Sequence, residues 1–536
     1  MPSPTVATEA SADARMLAAE ASRRRTFAII SHPDAGKTTL TEKLLLYAGQ
    51  VTEAGQVKAR RNRRAAVSDW MEMERERGIS ISSTALRFEL DGTIHNLLDT
   101  PGHRDFSEDT LRVLGAADSC VILLDAARGV EEQTLKLFEV ARERRVPLIT
   151  FINKYDRPGL ESLALVDEIE RELGLRAAPV TWPVGRAGEL RGVIDRRDGG
   201  FYRFERTAGG ATIGAEQRLD AAEAAVEAGD DWRVAAEEVG LLDEVGAGLD
   251  RDSYLAGSST PVFFGSALQN FGIRMLLDAL ADLAPAPGPR PGADGREREL
   301  DADFSALVFK LQANLDPQHR DRLAYVRVCS GRFERGTQAT NARTGKTLRM
   351  AYAHELFGRR RETLDAAFPG DVVGLVNAGD VRVGDTLYAG EEVRFTPIPT
   401  LAPDRFARLR NRDTGRYKQF HRGVAQLESE GVVHVLHEPE LGTQAPVLGG
   451  AGQMQFEVAR YRLEREFGAA VAIEPAGWTV SRRIDPADAG TVARAPAGQL
   501  LADGHGRVLA AFKDRFALER FERAHPEVAL DPFIVR

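Results

Sequence analysis

Cysteine and long apolar runs are what this sequence has least of. Its only cysteines are Cys120 and Cys329, which lie far apart and each within an apolar stretch. Two isolated thiols cannot form a disulfide framework, so we expect buried thiols in a reducing cytoplasm. No apolar run approaches the roughly 20 residues that span a bilayer. We therefore expect a cytoplasmic protein without a membrane partner.

An excess of positive charge and an apolar leader are also missing. The formal net charge is −9 at pH 7, so contacts with nucleic acid would have to come from local basic patches. The first 25 residues hold Glu9, Asp13 and Glu20 and have no apolar core. This composition argues against a signal peptide and fits poorly with an acid-poor transit peptide. We interpret residues 1–25 as an N-terminal extension, either disordered or a frayed helix.

Among the features that are present, the stretch from Ser31 to Thr39 predicts a phosphate-binding loop. A β-forming run precedes it and leucines at helical spacing follow it, so it joins a strand to a helix. In such a loop backbone N–H groups face the anion, Lys37 reaches the outer phosphates and Thr38 offers a hydroxyl to Mg²⁺. Ser31 replaces the first glycine of the usual pattern, which weakens the motif when it is taken alone. The candidate nucleotide-binding residues here are Ser31, His32, Pro33, Asp34, Ala35, Gly36, Lys37, Thr38 and Thr39.

A second motif follows the strand predicted over residues 94–98. It consists of Asp99, Thr100, Pro101, Gly102 and His103. An aspartate at the end of a buried strand, opposite a phosphate loop, is placed to hold Mg²⁺ through water. Gly102 can offer its N–H to the terminal phosphate because no side chain blocks the approach.

Two further motifs predict which base is bound. Asn153, Lys154 and Asp156 follow a predicted strand over residues 147–152, and the carboxylate can accept hydrogen bonds from the N1–H and N2 amine of guanine, which adenine lacks. Asn153 would brace the loops and Lys154 would lie along the base. The last group follows the strand over 261–264, would bind the guanine carbonyl, and consists of Ser266, Ala267 and Leu268. Four motifs in this order predict a GTPase domain.

The pattern of elements predicts a multidomain α/β protein. Alternating strands and helices over residues 26–284 predict a doubly wound, mostly parallel sheet with its ligand at the carboxyl ends of the strands. About residues 157–260 form an insertion, in which Glu216 to Asp243 is predicted to be helical. A proline-rich linker over 285–300 precedes a small antiparallel β-barrel over 301–399. Residues 400–536 predict an α/β sandwich, with helices over 417–430 and 453–467 and strands over 432–436, 445–448 and 470–473.

Several stretches resemble the translational GTPases. The motif from Asp99 to His103 and the stretch 77–81 carry this resemblance together with the phosphate loop, whose first glycine is often a small residue in that superfamily. Residues 68–74, 181–185, 261–265 and 310–322 further resemble the bacterial peptide chain release factor 3 family. The resemblance runs from about residue 24 to the C-terminal region and is weakest over 206–259.

The resemblance implies a ribosome-stimulated GTPase that uses GTP, GDP and Mg²⁺. Such a factor promotes the dissociation and recycling of class-I peptide chain release factors after translation termination. Its partners would be the ribosome, through rRNA and ribosomal proteins, and the class-I factors. It would be a monomer off the ribosome.

The resemblance also assigns roles by position. Thr38, Asp99 and Ser80 would be the Mg²⁺ residues, with Ser80 in place of the usual switch-I threonine, and Asp34 would help hold a monovalent cation. His103 matches the histidine that orients the attacking water and is the catalytic candidate. Pro33 and Ile79 match the apolar residues around that water, although proline is unusual there.

Two other functions and two basic surfaces stay open at this stage. A translocase such as elongation factor G carries two further domains, which we expect this chain to be too short to hold, and the GTPase subunit of a sulfate adenylyltransferase normally continues into two barrels. For the cluster from Lys58 to Arg64 and for Arg359–Arg361, a solvated surface and an rRNA contact are both open. The run from Arg405 to Arg422 is denser, with Asp413 as its only opposing charge in the sequence, and there we favour contact with RNA or an acidic protein.

Overall fold

The computed structural model describes residues 4–51, 82–313, 322–357, 360–376, 378, 380–440, 442, 445–496 and 498–535. The first domain contains a mostly parallel sheet with helices and a second, smaller sheet. Its elements in chain order are α1 (Pro4–Ser22), β1 (Arg24–Ser31), α2 (Lys37–Tyr47), β2 (Thr84–Leu90), β3 (Thr93–Asp99), α3 (Ser107–Leu114), β4 (Ser119–Asp125), α4 (Glu132–Glu143), β5 (Leu148–Asn153), α5 (Ser162–Leu173), β6 (Arg176–Pro179), β7 (Thr181–Val184), β8 (Gly192–Asp195), β9 (Gly200–Phe204), β10 (Glu216–Leu219), α6 (Ala221–Ala228), α7 (Asp230–Glu244), α8 (Arg251–Leu255), β11 (Ser259–Phe264) and α9 (Ile273–Asp282).

The main sheet has the strand order β2-β3-β1-β4-β5-β11-β6. Strand β2 is antiparallel to β3, and every other neighbouring pair in this series is parallel. Strands β4 and β5 are buried along their whole length, as expected for parallel strands covered on both faces. The predicted doubly wound sheet is confirmed. Because parallel strands end at the same edge, the loops after β1, β3, β5 and β11 meet there.

The segment between β6 and β11 differs from its prediction. Strands β7 to β10 form a separate antiparallel sheet in sequence order, and helices α6 to α8 follow it. The helix predicted from Glu216 is therefore wrong over its first turn, where β10 pairs with β9. Asp220 starts the real helix by accepting hydrogen bonds from Ala222 N and Glu223 N. Four residues are too few to reveal a period, so the strand was hidden beside a strongly helical Ala/Glu stretch.

The proline-rich linker is packed against its neighbours. Its strands β12 (Arg290–Pro291) and β13 (Glu297–Arg298) pair with each other. Arg290 donates a hydrogen bond to Gly115 O at 2.7 Å and lies over the Phe395 ring. The linker therefore fixes the second domain beside α3 instead of acting as a free spacer.

The second domain is an antiparallel barrel-like sheet, as predicted, and its strand β19 also pairs with β2 of the first domain. Buried polar contacts accompany this junction: Arg24 pairs with Asp371 at 2.9 Å, and Arg327 donates to Ala116 O at 2.5 Å. The strands are β14 (Ser305–Ala313), β15 (Arg322–Ser330), β16 (Phe333–Glu334), β17 (Gln338–Asn341), β18 (Thr347–Arg349), β19 (Ala353–Phe357), β20 (Arg360–Thr363), β21 (Ala366–Ala367), β22 (Val372–Val376) and β23 (Thr386–Tyr388).

The third domain packs helices on an antiparallel sheet of order β28-β25-β27-β26-β30-β31-β29. The predicted helices are confirmed, the second one two residues shorter, whereas the strand predicted from Val432 begins at His434. No element was predicted after residue 473, where several are found. The elements are β24 (Thr400–Leu401), β25 (Arg405–Asn411), α10 (Tyr417–Glu430), β26 (His434–His437), β27 (Val447–Gly450), α11 (Gln453–Arg465), β28 (Val471–Pro475), β29 (Val480–Ile484), α12 (Ala489–Arg494), β30 (Gly498–Asp503), β31 (Val508–Phe512), α13 (Arg515–Ala524) and β32 (Phe533–Val535).

Both cysteines are free and buried, as predicted, and burial raises the pKa of each thiol. Neither is placed for redox or nucleophilic chemistry. In the described part of the chain no helix combines the length and the apolar character that crossing a bilayer requires.

The first and third domains meet through α3. Arg112 of α3 donates to the carbonyl oxygens of Glu430 and Gly431, at 3.2 and 3.3 Å. Gly431 ends α10 with a φ of 70°, and a Cβ there would lie 2.0 Å from the Arg112 guanidinium. A side chain at this position would push the guanidinium away from both carbonyls.

We expect Gly431→Ala to weaken the docking of the third domain. The matched control is Gly468→Ala, because Gly468 has a similar φ of 64° and nothing lies within 4 Å of a Cβ built on it. In the control the free energy of unfolding should fall by about 1 kcal/mol, because alanine is strained in a left-handed backbone. In Gly431→Ala it should fall by about 2 kcal/mol more, because the charged hydrogen bonds of Arg112 are also broken. The measurement is urea unfolding of each variant. Equal losses would show that the contact with Arg112 contributes nothing.

Candidate nucleotide-binding site

The phosphate loop leaves β1 at Ser31 and enters α2 at Lys37. Two positive φ angles turn it, 66° at Asp34 and 102° at Gly36. A Cβ on Gly36 would lie 2.4 Å from Asn153 Nδ2, so this position requires glycine. The turn directs the first residues of α2, Lys37, Thr38 and Thr39, to the edge of the sheet where the other loops meet. Helix N-termini at such an edge favour anions.

Lys37 and Asp99 form a buried ion pair at this edge. Lys37 Nζ lies 2.5 Å from Asp99 Oδ1, and the two side chains are 6% and 3% exposed. A buried ammonium group needs a partner, and the carboxylate supplies one. Thr100 anchors the start of the second motif by donating to Ile29 O at 2.6 Å. The sequence motifs around Lys37 and Asp99 are thus in direct contact.

Asn153 joins three loops. Its Nδ2 donates to Ala35 O at 2.7 Å, and its Oδ1 accepts from Ala267 N at 2.8 Å. The predicted bracing function of Asn153 is therefore visible as geometry. Lys154 adds to it, since its ammonium group donates to Asp34 O and to Asp125 Oδ2, the latter at 2.7 Å.

Asp156 has a buried carboxylate oxygen, Oδ1, without a hydrogen-bond partner among the described residues. An oxygen in that state costs about 1–3 kcal/mol, so a ligand donor is the natural complement. Guanine offers two donors on one edge. Ser31 Oγ, at the end of β1, is likewise buried without a partner in the part of the chain that the structure describes. Both observations fit a nucleotide at this edge of the sheet.

Gly102 and His103 lie between the phosphate loop and the third domain. A Cβ built on Gly102 would be 3.9 Å from Pro33 Cα, so the second motif passes directly beside the phosphate loop. The His103 side chain is 28% exposed and lines a cleft of about 1220 Å³. Residues 451–454 of the third domain line the same cleft. His32 is buried within the loop, and its Nδ1 lies 2.6 Å from Pro33 O.

Lys310 is a residue whose contacts the sequence did not reveal. From β14 of the second domain its ammonium group donates to Ser82 Oγ at 2.6 Å and to Ser83 O at 2.5 Å, and it lies 3.4 Å from Asp109 of α3. The second domain therefore holds both the start of β2 and the helix after His103. The only signal in the sequence was that Lys310 begins the stretch resembling the release factor 3 family.

The insertion also contacts the phosphate-loop helix and the loop after β11. Lys43 of α2 donates to Gly210 O, and Asn270 Nδ2 donates to the same oxygen at 3.0 Å. Burial lowers the pKa of Lys43 to about 8. A Cβ on Gly210 would meet Leu268 O, so the insertion packs on both the phosphate-loop helix and the Ser266–Leu268 loop.

Some predicted residues lie outside the described residues. These are Ser80, Ile79, the cluster 58–64 and Arg359. The run from Arg405 to Arg422 is described, and acidic side chains from outside the run partly neutralise it. Arg408 pairs with Glu438 at 2.8 Å and stacks on Trp478, and Arg410 lies 3.6 Å from Glu474. Strands from distant parts of the chain bring these acids close, which the local sequence could not show.

This fold and these loops define a GTPase of the translation-factor type. The family model "Elongation factor Tu GTP binding domain" matches residues 22–286, "Elongation factor G domain 2" matches 303–390 and "Class II release factor RF3, C-terminal domain" matches 395–522. The protein accordingly binds guanine nucleotide.

Curated relatives narrow the class to one family. The chain is 48% identical to the peptide chain release factor 3 of Gloeobacter violaceus, over 96% of this chain and 98% of the relative. It is 47% identical to that of Microcystis aeruginosa, over 95% and 94%, and 47% identical to that of Synechococcus elongatus, over 95% and 92%. The chain belongs to the peptide chain release factor 3 family, a family of translation termination factors.

A solved structure supports the fold. A crystal structure of a Thermus thermophilus protein superposes with a TM-score of 0.68 at 22% identity, covering 90% of this chain and 71% of that one. At that identity the similarity concerns the fold alone.

Asp156→Asn should change base preference. The amide replaces one acceptor of the Asp156 side chain with a donor. GTP affinity should therefore fall about tenfold or more, as expected when a buried polar pair is mismatched. Xanthosine triphosphate should bind the variant better than it binds the wild type. Fluorescence titration with both nucleotides measures this. If the variant binds GTP as the wild type does, the base lies elsewhere.

Proposed function

We propose that this protein is a ribosome-stimulated GTPase that promotes dissociation and recycling of class-I peptide chain release factors after termination. The observation that carries the proposal is where the family's C-terminal domain docks. It contacts α3 and the turn before it, immediately after His103, so the domain specific to this family and the nucleotide site share one segment. The names of the relatives, peptide chain release factor 3, support the coarser part of this proposal, a role in translation termination.

The nucleotide site would work through a small set of side chains. Lys37 would leave its ion pair with Asp99 and bind the outer phosphates. Asp156 would accept hydrogen bonds from guanine. Mg²⁺ would be held by Thr38 and Asp99, which supply the hard oxygen donors it prefers, and by Ser80. When bound, that ion would neutralise charge on the phosphates.

His103 would orient the water that attacks the terminal phosphate. A neutral imidazole at the edge of the phosphate site can hold a water by one hydrogen bond and exclude alternative orientations. Among the described residues, no contact places an arginine at the edge of the sheet where the phosphates would bind. We therefore expect slow hydrolysis by the free protein. The ribosome would complete the site, as in GTPases that receive a stimulating group from a partner.

The remaining partners follow from surface chemistry. Arg412, Arg416, Lys418 and Arg422 are exposed, so this part of the basic run remains available for rRNA phosphates. Off the ribosome we expect a cytoplasmic monomer.

Displacement of another factor requires different affinities for two states. We propose that GTP favours an arrangement of the three domains that stabilises a ribosome conformation unfavourable to a bound class-I factor. Hydrolysis then removes that preference and lets the protein leave. The docking of the second and third domains on segments beside the phosphate site gives the nucleotide a physical means to bias their arrangement.

The test is the dissociation rate of a labelled class-I factor from post-release ribosomes. GTP and this protein together should raise it, whereas GDP with the protein should raise it far less. A non-hydrolysable GTP analogue should support the displacement and retain the protein on the ribosome. If these ribosomes stimulate GTP turnover yet the labelled factor leaves no faster with any nucleotide, the recycling function is wrong.

His103→Ala should separate binding from hydrolysis. GTP and ribosome binding should persist, because the contacts of the base and phosphate loops described above do not include this side chain. Ribosome-stimulated turnover should fall about a hundredfold. Turnover within about threefold of wild type would mean that another group positions the water.

A further inference from the structure

Asp105 lies at the contact between the His103 segment and the third domain. It is 4% exposed and sits in a short helical turn, Arg104–Phe106. Its Oδ2 accepts a hydrogen bond from Met454 N at 2.8 Å. Met454 is in the first turn of α11, where backbone N–H groups have no partner within the helix.

The residue before α11 cannot cap the helix by itself. That residue is Gly452, which has no side chain, so the capping oxygen of Asp105 comes from another domain. The approach is very close: a Cβ on Gly452 would lie 1.8 Å from Asp105 Cγ. The φ of Gly452 is −160°, an extended conformation open to any residue, so contact with Asp105 and not backbone strain requires glycine here.

Apolar side chains pack on one side of this contact. Phe106 and Val458, 6% and 1% exposed, pack together beside it with Met454 against them. Burial strengthens the interaction between a carboxylate and a helix N-terminus. The cap is therefore a specific, largely buried link between two domains.

The same residue holds His103. Asp105 N donates to His103 Nδ1 at 3.2 Å, and Asp105 Oδ1 lies 3.4 Å from that nitrogen. The exposed Arg104 guanidinium lies 3.6 Å from Oδ1. Because Nδ1 accepts a backbone N–H, the neutral ring carries its proton on Nε2. One residue thus fixes both the ring of His103 and the position of α11.

We propose that Asp105 is a positioning residue that couples the docking of the third domain to the orientation of His103. A displacement of α11 is transmitted through the cap to the turn that holds the imidazole. The ribosome then alters hydrolysis by moving the third domain, without touching the nucleotide. The inference rests on the proposed function of His103 and names the route by which its position is controlled.

The test compares Asp105→Ala with Asp105→Asn. The alanine variant loses the cap, so the ribosome-stimulated kcat should fall about tenfold or more, as expected when a reacting group is misplaced. GTP affinity and the ribosome concentration for half-maximal stimulation should stay within about twofold, which ordinary loss of folding would not allow. Asp105→Asn keeps an oxygen acceptor for Met454 N and should retain most of kcat.

Gly452→Ala tests the link from the other domain. Its Cβ would collide with the carboxylate, so it should reduce kcat as Asp105→Ala does. The matched control is Gly504→Ala in the same domain, where nothing lies within 4 Å of the added Cβ, and it should keep full kcat. In the double variant Asp105→Ala/Gly452→Ala the collision is gone, so kcat should equal that of Asp105→Ala alone.

Two results would overturn the proposal. One is an unchanged kcat in Asp105→Ala, and the other is a double variant whose losses multiply, which would mean that the two residues act independently. A failure of the His103 assignment is recognised separately, since His103→Ala would then keep its stimulated turnover. If His103→Ala is inactive and Asp105→Ala is not, only the coupling is wrong.

Discussion

A buried group of charges between α3 and the third domain is the constraint on which the arrangement of this protein depends. Glu108 lies 2.6 Å from Arg112 and 3.1 Å from His434. Burial alone would raise the pKa of Glu108, but His434 and Arg112 lower it to about 2. Arg462 continues the group by pairing with Glu430 at 2.8 Å. Removing one member would leave an uncompensated buried charge, which is costly. These contacts therefore stabilise the docked arrangement of the first and third domains.

In the candidate nucleotide site, unlike at this interface, some buried polar groups have no hydrogen-bond partner within the described part of the protein. Asp156 Oδ1 and Ser31 Oγ are buried there without partners, and the buried Lys37 is neutralised by Asp99. A bound nucleotide would supply hydrogen-bond partners to these groups. A buried interdomain contact and an unsatisfied candidate ligand site are joined by one short segment of chain, from Gly102 to Arg112. A change at the phosphate edge can thus reach the domain interface over a short distance.

Local sequence patterns predicted the strands and loops that form the site. They failed where the structure depends on contacts between segments that are distant in sequence. The four motifs predicted to bind nucleotide lie at strand ends, as expected, because apolar runs and glycine-containing loops carry strong local signals. Strand β10 was missed because its four residues are mostly polar and precede an alanine-rich helix. The pairing of Arg408 with Glu438 was missed because nothing in a local sequence window shows which strands will be neighbours. The contacts of Lys310 were not predicted, because its partners lie more than 200 residues away in sequence. Lys310 was noted only as part of the stretch that resembles the release factor 3 family.

The sequence by itself determined the chemistry that the protein can perform. Gly36, Lys37, Asp99 and Asp156 predict a guanine nucleotide site through residue type and order, because backbone conformation and hydrogen-bonding capacity are local properties. Only the tertiary structure decided how that chemistry is connected to the other domains. Asp105 resembles any other polar residue until folding places it against Met454, 349 positions later. A contact of this kind depends on the packing of three domains, and packing is a property of the whole chain.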